Sequence, residues 1–177
     1  MLKKTWIVLA MVALLVVCLK PPQFEQAQAG EKGQPPELLG SYAVKEVHPG
    51  QTWNIYLKAK DVDGDMKYIA AVLSMAGEGD YPTSEIWLKG ENRSEFEGYI
   101  FLHTPMDENL VAEMDTLKVS IFIRDSAGNK SQTVKLPLSF APGRTPEKVP
   151  AQWQQATKNQ LGYINNSIMS SEAAEIQ

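Results

Sequence analysis

The sequence predicts an all-β sandwich of about seven strands, preceded by an export signal and followed by a short tail. Three observations support this. Residues 41–140 alternate between apolar and polar side chains, turn-forming residues separate the alternating runs, and an apolar run lies near the N-terminus. A chain of 177 residues has room for one such domain plus its ends.

The first residues have the order of a secretory signal peptide. Lys3 and Lys4 carry positive charge, an apolar run extends from 6 to 19, and residues 27–29 have the small-residue pattern Ala-Gln-Ala. The apolar run is shorter than the roughly 20 residues that span a bilayer as a helix. We therefore predict that residues 1–29 are a cleaved signal peptide and that the protein is exported, periplasmic or extracellular, without a membrane span. An uncleaved anchor is the alternative.

Cys18 is the single cysteine, and it lies inside the apolar run. A lipoprotein signal places a small residue before the lipidated cysteine, and Val17 stands there instead, which disfavours a lipidated form. Cleavage after Ala29 leaves no cysteine, so the fold depends on packed apolar surface without a disulfide. The chain has a net charge of −4 and no basic stripe, and we therefore expect no nucleic-acid partner.

Seven runs within residues 41–140 are predicted strands, and their count and spacing are typical of an immunoglobulin-like sandwich. Leu117, Val119, Ile121 and Ile123 form the cleanest inward face. Pro137 marks the last run as an edge strand. The predicted strands are 42–47, 53–59, 68–75, 86–88, 96–102, 117–123 and 134–140, with 86–88 and 96–102 paired as a hairpin.

The segments on either side of the sandwich have a different composition. Residues 30–40, which include Pro35 and Pro36, are predicted to be a flexible lead-in. Residues 141–177 combine a Pro-containing linker with a tail rich in Gln and Asn, whose apolar residues from 151 to 168 lie near one helical face. This pattern fits either a short, weakly docked helix or a disordered tail.

Two loop motifs resemble those of known extracellular domains. Residues 121–131, Ile-Phe-Ile-Arg-Asp-Ser-Ala-Gly-Asn-Lys-Ser, resemble the last hairpin of bacterial immunoglobulin-like domains. The Asp-Val-Asp-Gly-Asp turn at 61–65 is similar to the Asp-x-Asp-Gly-Asp turn of cadherin-like extracellular repeats. The resemblance covers about residues 41–140 and implies a sandwich fold with a spacer, adhesion or assembly role.

The acidic turn is the candidate binding site. Asp61, Asp63 and Asp65 place three carboxylates within five positions, and a divalent cation relieves their mutual repulsion. In a sandwich of alternating strands, the loops after the second and sixth strands emerge at the same end, which brings Asp125 and Asn129 towards the acidic turn. These five residues are the predicted Ca²⁺ ligands. A solvated turn without an ion is the alternative, and we expect no cofactor to be required for folding.

Catalytic signatures are absent from the sequence, which has no G-x-S-x-G, no H-E-x-x-H and no phosphate-binding loop. We therefore predict that the protein is not an enzyme. A zinc site formed by His48 and His103 with Asp107 or Glu108 is a further hypothesis, and two ordinary turn histidines are the alternative.

Two tryptophans differ in their phase with the apolar face. Trp53 alternates with core positions, whereas Trp87 is out of phase and is the better candidate for recognition. The sequence predicts an exported, non-enzymatic module for protein binding, adhesion or assembly, with a protein partner. A carbohydrate-binding or enzyme-accessory module and a passive spacer are the alternatives.

Overall fold

A computed structural model of the chain describes residues 33–75, 79–106, 117–143 and 148–165. The predicted signal peptide, residues 1–29, lies outside these ranges. The described residues belong to one compact unit and form ten strands in two sheets. The strands are β1 (Glu37–Ala43), β2 (Glu46–Val47), β3 (Thr52–Lys60), β4 (Met66–Met75), β5 (Gly79–Asp80), β6 (Ser84–Trp87), β7 (Glu95–His103), β8 (Leu117–Asp125), β9 (Val134–Phe140) and β10 (Gln160–Tyr163).

The first sheet has the strand order β1-β3-β7-β10, and the second has the order β2-β9-β8-β4-β5 with β6 also paired to β4. Two edge pairs, β2 with β9 and β10 with β7, are parallel, and the other pairs are antiparallel. The predicted all-β sandwich is therefore confirmed, with ten described strands where the sequence predicted about seven. The described part of the chain contains no apolar helix long enough to cross a bilayer.

Apolar side chains from both sheets fill the space between them. Trp53 and Leu57 of β3 and Ile121 and Ile123 of β8 are fully buried in one cluster. The Trp53 indole Nε1 donates a hydrogen bond to the Val44 carbonyl at 2.7 Å, so its one polar atom is satisfied. Burial of each large side chain contributes about 1.5–3 kcal/mol, which explains how the fold forms without a disulfide.

The first predicted strand, 42–47, is divided between the two sheets. β1 pairs with β3, whereas the two residues of β2 pair in parallel with β9 in the other sheet. β1 also begins at Glu37, inside the predicted flexible lead-in 30–40. The edge of β3 supplies backbone partners to this segment, and a local reading of turn residues does not reveal a partner so distant in sequence.

The predicted hairpin of 86–88 with 96–102 is wrong. β6 pairs with β4 in the second sheet, and β7 pairs with β3 in the first. A 3-10 turn at Gly90–Arg93 carries the chain from one sheet to the other. Gly90 adopts a φ of 57°, which suits a tight turn. Because a tight turn occurs in a crossover between sheets as well as in a hairpin, the turn residues did not distinguish the two.

Residues 148–165 form a C-terminal arm that docks on the outer face and the edge of the first sheet. Two 3-10 turns, Ala151–Trp153 and Ala156–Lys158, precede β10, so the helical or disordered tail predicted for 141–177 is wrong within the arm. Trp153 is buried, and its ring centroid lies 6.4 Å from that of Tyr42 and 6.5 Å from that of Tyr56. The apolar residues of the tail therefore anchor it to a sheet instead of forming a helical face.

Two glycines permit the close approach of the arm. A Cβ atom on Gly98 would lie 2.6 Å from the Asn159 carbonyl oxygen, and one on Gly162 would lie 2.6 Å from Cγ2 of Ile86. The Tyr99 N–H donates to that same Asn159 oxygen at 2.9 Å, which begins the pairing of β10 with β7. The open edge of β7 thus offers backbone hydrogen bonds that a short, Gly-containing helix does not match.

Replacing Trp153 with alanine should lower the free energy of unfolding by about 3 kcal/mol, because it removes a buried tryptophan from the arm. The matched control is Trp87→Ala, whose side chain is 53% exposed and which should lose less than about 1 kcal/mol. Urea unfolding of the two variants measures the difference. Equal losses in the two variants would contradict the docked position of Trp153.

Candidate metal centre

Two loops meet at one end of the sandwich, one between β3 and β4 and the other between β8 and β9. Met66 pairs with Asp125 in the β4–β8 ladder, which places the bases of the loops side by side. The Asp65 carbonyl accepts hydrogen bonds from the Ser126 N–H at 3.1 Å and from the Ser126 hydroxyl at 3.0 Å. The loops are therefore tied together through their backbones before any side-chain chemistry is considered.

Three carboxylates converge where these loops meet. One oxygen from each of Asp61, Asp65 and Asp125 lies within 4.8 Å of the others. Asp61 and Asp125 are 7% and 2% exposed, and Asp65 is half-buried. Oδ2 of Asp61 is buried without a hydrogen-bond partner. A buried carboxylate oxygen in this state is unfavourable unless a proton or a cation compensates its charge.

The backbone around Asp61 is fixed by its own hydrogen bonds. Its N–H donates to the Ser94 carbonyl at 2.7 Å, and its Oδ1 accepts from the Asp63 N–H at 3.1 Å. Gly64 completes the turn with a φ of 69°, and a Cβ atom there would lie 2.8 Å from the Ser94 hydroxyl. The turn therefore holds Asp61 Oδ1 on the backbone, while Oδ2 is left without a donor.

Asn129 orients the Asp125 carboxylate. The Asn129 N–H donates to Asp125 Oδ1 at 2.7 Å, and its side-chain Nδ2 donates to Oδ2 at 2.8 Å. Each carboxylate oxygen has two lone-pair sites, so Asp125 retains acceptor capacity after these two bonds. Asn129, predicted as a ligand, is placed here as a residue that positions a ligand.

Asp63 is engaged outside the cluster. Its Oδ2 accepts a hydrogen bond from the Gln34 N–H, and the residue is exposed. The carboxylate thus attaches the segment before β1 to the acidic turn. Of the five predicted ligands, the structure brings Asp61, Asp65 and Asp125 together and gives Asp63 and Asn129 other contacts.

Arg93 forms hydrogen bonds to both loops of the site, and this role was not predicted from the sequence. Its Nε donates to the Met66 carbonyl at 3.2 Å, and its Nη2 donates to the Ser126 hydroxyl at 3.0 Å. These bonds connect the crossover turn to both loops of the metal centre. The predicted order of strands also brings the loop at 90–93 to this end of the sandwich, but no local signal singled out Arg93.

The pKa of Asp65 is raised above its ordinary value. Burial is the largest cause of the raised pKa, followed by a hydrogen bond to Asp61, which Asp65 can donate only in its protonated form, and by the negative charges of Asp125 and Asp61. When both carboxylates are ionised, this bond is lost and Oδ2 of Asp61 has no donor. A hydrogen bond from the Ser126 backbone opposes the shift in part. The three carboxylates therefore favour the uptake of positive charge, as a proton on Asp65 or as a bound cation.

The other predicted sites gain less from the structure. Within the described ranges, no group of three ligating side chains includes His48 or His103. Nδ1 of His103 lies 3.4 Å from the Thr52 hydroxyl, so one of the two histidine rings has a hydrogen-bond partner other than a metal. Asp107 and Glu108, the further zinc ligands considered, lie outside the described residues.

A groove of about 390 Å³ is lined by residues of β6 and β10 and by residues that flank them. Tyr81, Ser84, Glu85 and Tyr163 are among its lining residues. The Ser84 hydroxyl donates to the Asn165 carbonyl at 2.9 Å, so it is not paired with a base. Neither histidine nor cysteine is among the residues that line the groove.

Comparison with known proteins gives structural similarities at low sequence identity. No family model and no curated protein matches the sequence. The chain is similar to the PKD domain of an M14-like peptidase from a Thermoplasmatales archaeon, with 20% identity over 61% of this chain and 97% of that one and a TM-score of 0.42. It is also similar to the CARDB domain of a Pyrococcus furiosus protein in complex with di-metal ions, with 12% identity over 60% and 86% of the two chains and a TM-score of 0.32.

Replacing Asp65 with asparagine should stabilise the metal-free domain at neutral pH. Because the pKa of Asp65 is higher in the folded than in the unfolded state, stability is lost as the pH rises through the folded value. Asparagine removes this ionisation. Its advantage should therefore be present at neutral pH and disappear below about pH 3.8, the ordinary pKa of the group.

Urea titrations in EDTA at neutral and at acidic pH measure the free energy of unfolding of Asp65→Asn and of the unmodified protein. Asp80→Asn, an exposed substitution of the same kind, controls for the general effect of removing a negative charge. A variant that is less stable than the unmodified protein at neutral pH would contradict the raised pKa.

Proposed function

We propose that the chain is an exported, non-catalytic immunoglobulin-like module for protein binding, adhesion or assembly, in which a divalent cation clamps the loop end of the sandwich. One observation carries the cation: Oδ2 of Asp61 is buried without a hydrogen-bond partner, beside carboxylate oxygens of Asp65 and Asp125. The order of charge, apolar run and Ala-Gln-Ala in residues 1–29 supports export. The engagement of the Ser84 hydroxyl of the groove with the Asn165 carbonyl supports a non-catalytic role.

Calcium fits the donor set best. The ligating atoms of Asp61, Asp65 and Asp125 are carboxylate oxygens, which hard cations prefer, whereas zinc prefers nitrogen and sulfur. Ca²⁺ accepts roughly 6–8 oxygens in irregular arrangements, and Mg²⁺ demands a near-ideal octahedron. Three side chains on two independent loops meet the looser demand more readily, with water completing the coordination.

The clamp joins the two sheets. Asp61 directly follows β3 of the first sheet, whereas Asp125 ends β8 of the second. Asp65 precedes β4, which neighbours β8. A cation shared by these residues connects the sheets at an end where the mature chain has no cysteine to do so. Binding to the folded state alone stabilises that state by mass action.

Carbohydrate binding is the second candidate function, and the exposure of Trp87 favours it. The Trp87 side chain is 53% exposed, and its ring centroid lies 5.5 Å from that of Tyr68, with the planes inclined by 50°. Exposed aromatic rings side by side on a flat sheet suit the apolar faces of sugars as well as protein side chains.

Calcium at about 5 mM should raise the free energy of unfolding by about 1–2 kcal/mol if the site has the millimolar-range affinity of extracellular modules. Asp61→Asn and Asp125→Asn should each abolish this gain, because each removes a charged ligand. Asp63→Asn should retain it, since the Asp63 carboxylate contacts Gln34 instead of the cluster. Thermal melts in EDTA and in calcium measure the shift for each variant.

The Asp63→Asn control makes this experiment specific, because it alters the same loop and the same net charge. A calcium-dependent shift that survives Asp61→Asn, or that disappears with Asp63→Asn, places the ion elsewhere. If calcium does not change the melting temperature of the unmodified protein, the clamp is rejected. The carboxylates are then a protonated or solvated cluster.

Export predicts a defined N-terminus. Expressed with its full sequence in a host with a secretion pathway, the chain should be recovered outside the cytoplasm and should begin at Gly30. N-terminal sequencing of that protein, alongside a variant with Ala29 replaced by a bulky residue, checks cleavage. An intact chain in the cytosol would contradict export.

A further inference from the structure

The outer face of the second sheet presents a row of three large side chains in register. Tyr68 on β4 lies between Trp87 on β6 and Arg124 on β8. Strand alternation directs these residues away from the core that Ile69 and Ile123 occupy. The row therefore forms a flat aromatic and cationic surface, here called the Trp87 row.

Cations lie over the aromatic rings of this face. The Lys67 ammonium is 5.3 Å from the Trp87 ring centroid, and the Lys130 ammonium is 3.9 Å from the centroid of Phe122. The Arg124 guanidinium is 5.8 Å from the same Phe122 ring. Cation–π contacts of this kind hold the charges in place without neutralising them.

These cations have no carboxylate partner within the described part of the chain. The two salt bridges found there, Lys58 with Glu97 and Lys60 with Glu37, belong to the first sheet. Lys118 and Lys135 add exposed positive charge on outward positions of β8 and β9. The same outer face also carries the carboxylates of Glu85 on β6 and Asp80 on β5, and Arg124 Nη1 donates to the Gly128 carbonyl at 2.8 Å. The cations on this face outnumber the two carboxylates, although the chain as a whole has a net charge of −4.

The opposite face of the sandwich is closed by the chain itself. Tyr42, Tyr56 and Tyr99 stand in register across the first sheet, and Trp153 of the C-terminal arm packs on them. The corresponding aromatic residues of the second sheet carry no such cover from any described segment. Of the two faces, the second is therefore the one available to a partner.

We propose that the Trp87 row docks an acidic segment of a protein partner. Charge complementarity selects an acidic ligand, and the Arg124 guanidinium matches the planar geometry of a carboxylate. Trp, Tyr and Arg, the three residues of the row, are the types that carry most binding energy in protein interfaces. The proposal rests on the proposed protein-binding function and is independent of the calcium clamp.

A protein ligand suits this face better than a sugar. Stacking of a sugar requires an open ring face, whereas Lys67 and Lys130 already lie over the rings of Trp87 and Phe122. Carboxylates along an extended acidic segment can contact successive cations across the strands.

A fluorescein-labelled peptide of about ten glutamates is the probe, with binding measured by fluorescence anisotropy and the contact surface mapped by NMR chemical shifts. The double variant Lys67→Gln/Lys130→Gln should weaken binding about tenfold. Lys45→Gln/Lys158→Gln, which removes the same charge from exposed positions elsewhere, should change it less than about twofold. Raising the salt from about 50 to about 300 mM should also weaken binding.

Shifted amide signals should cluster on β4, β6 and β8. Equal weakening by the two double variants, shifts confined to the first sheet, or absence of peptide binding would overturn the proposal. Stronger binding to alginate than to the peptide, or to phosphatidylglycerol vesicles, would overturn it in favour of an acidic glycan or a membrane. A calcium-dependent melt on the same samples tests the clamp separately, so failure of the acidic-segment proposal is distinguishable from failure of the clamp.

Discussion

The structure depends on apolar contact between two sheets that no disulfide joins. Trp53 from the first sheet and Ile121 from the second belong to one buried cluster, and the single cysteine, Cys18, lies within the predicted signal peptide. The same alternation that turns Trp53 inward turns Tyr56 of the same sheet outward. The core thereby determines which side chains reach each outer face and which loops share an end.

The alternation of side chains along the strands places aromatic residues on both outer faces, and the two faces differ in whether another described segment covers those residues. Tyr56 is covered by Trp153, so the first face becomes a small second core and its free edge is filled by β10. Tyr68 and Trp87 stay open, with cations on their rings. The chain's own arm covers one face and also fills an edge that would otherwise be open to pairing with other chains.

Alternation in the sequence was sufficient to predict the long central strands, because burial on one face imposes period two. Residues 53–59 and 117–123 correspond to β3 and β8 within one or two residues. Pairing was harder, because the partner of β6 depends on which edge is free in three dimensions. The arm escaped prediction for the same reason, since its extended form depends on the edge of β7 and on Gly98.

The acidic turn was predictable as a location and only partly as a set of ligands. Successive predicted strands run in opposite directions, so the loop containing Asp61 and Asp65 and the loop after Asp125 emerge at the same end of the sandwich. The order of the strands was sufficient to predict this. The position of each carboxylate within a tight turn depends on contacts far away in sequence. Asp63 contacts Gln34, and Arg93 reaches the loops from the crossover turn.

The cluster and the Trp87 row share the ends of two strands, β4 and β8. Asp125 turns inward to the cluster, and its neighbour Arg124 turns outward to the row. On β4, Tyr68 lies three residues after Asp65. A proton on Asp65 compensates one carboxylate, whereas a cation held by Asp61, Asp65 and Asp125 fixes three backbone positions at once. Such a cation would order the ends of β4 and β8 at the base of both loops.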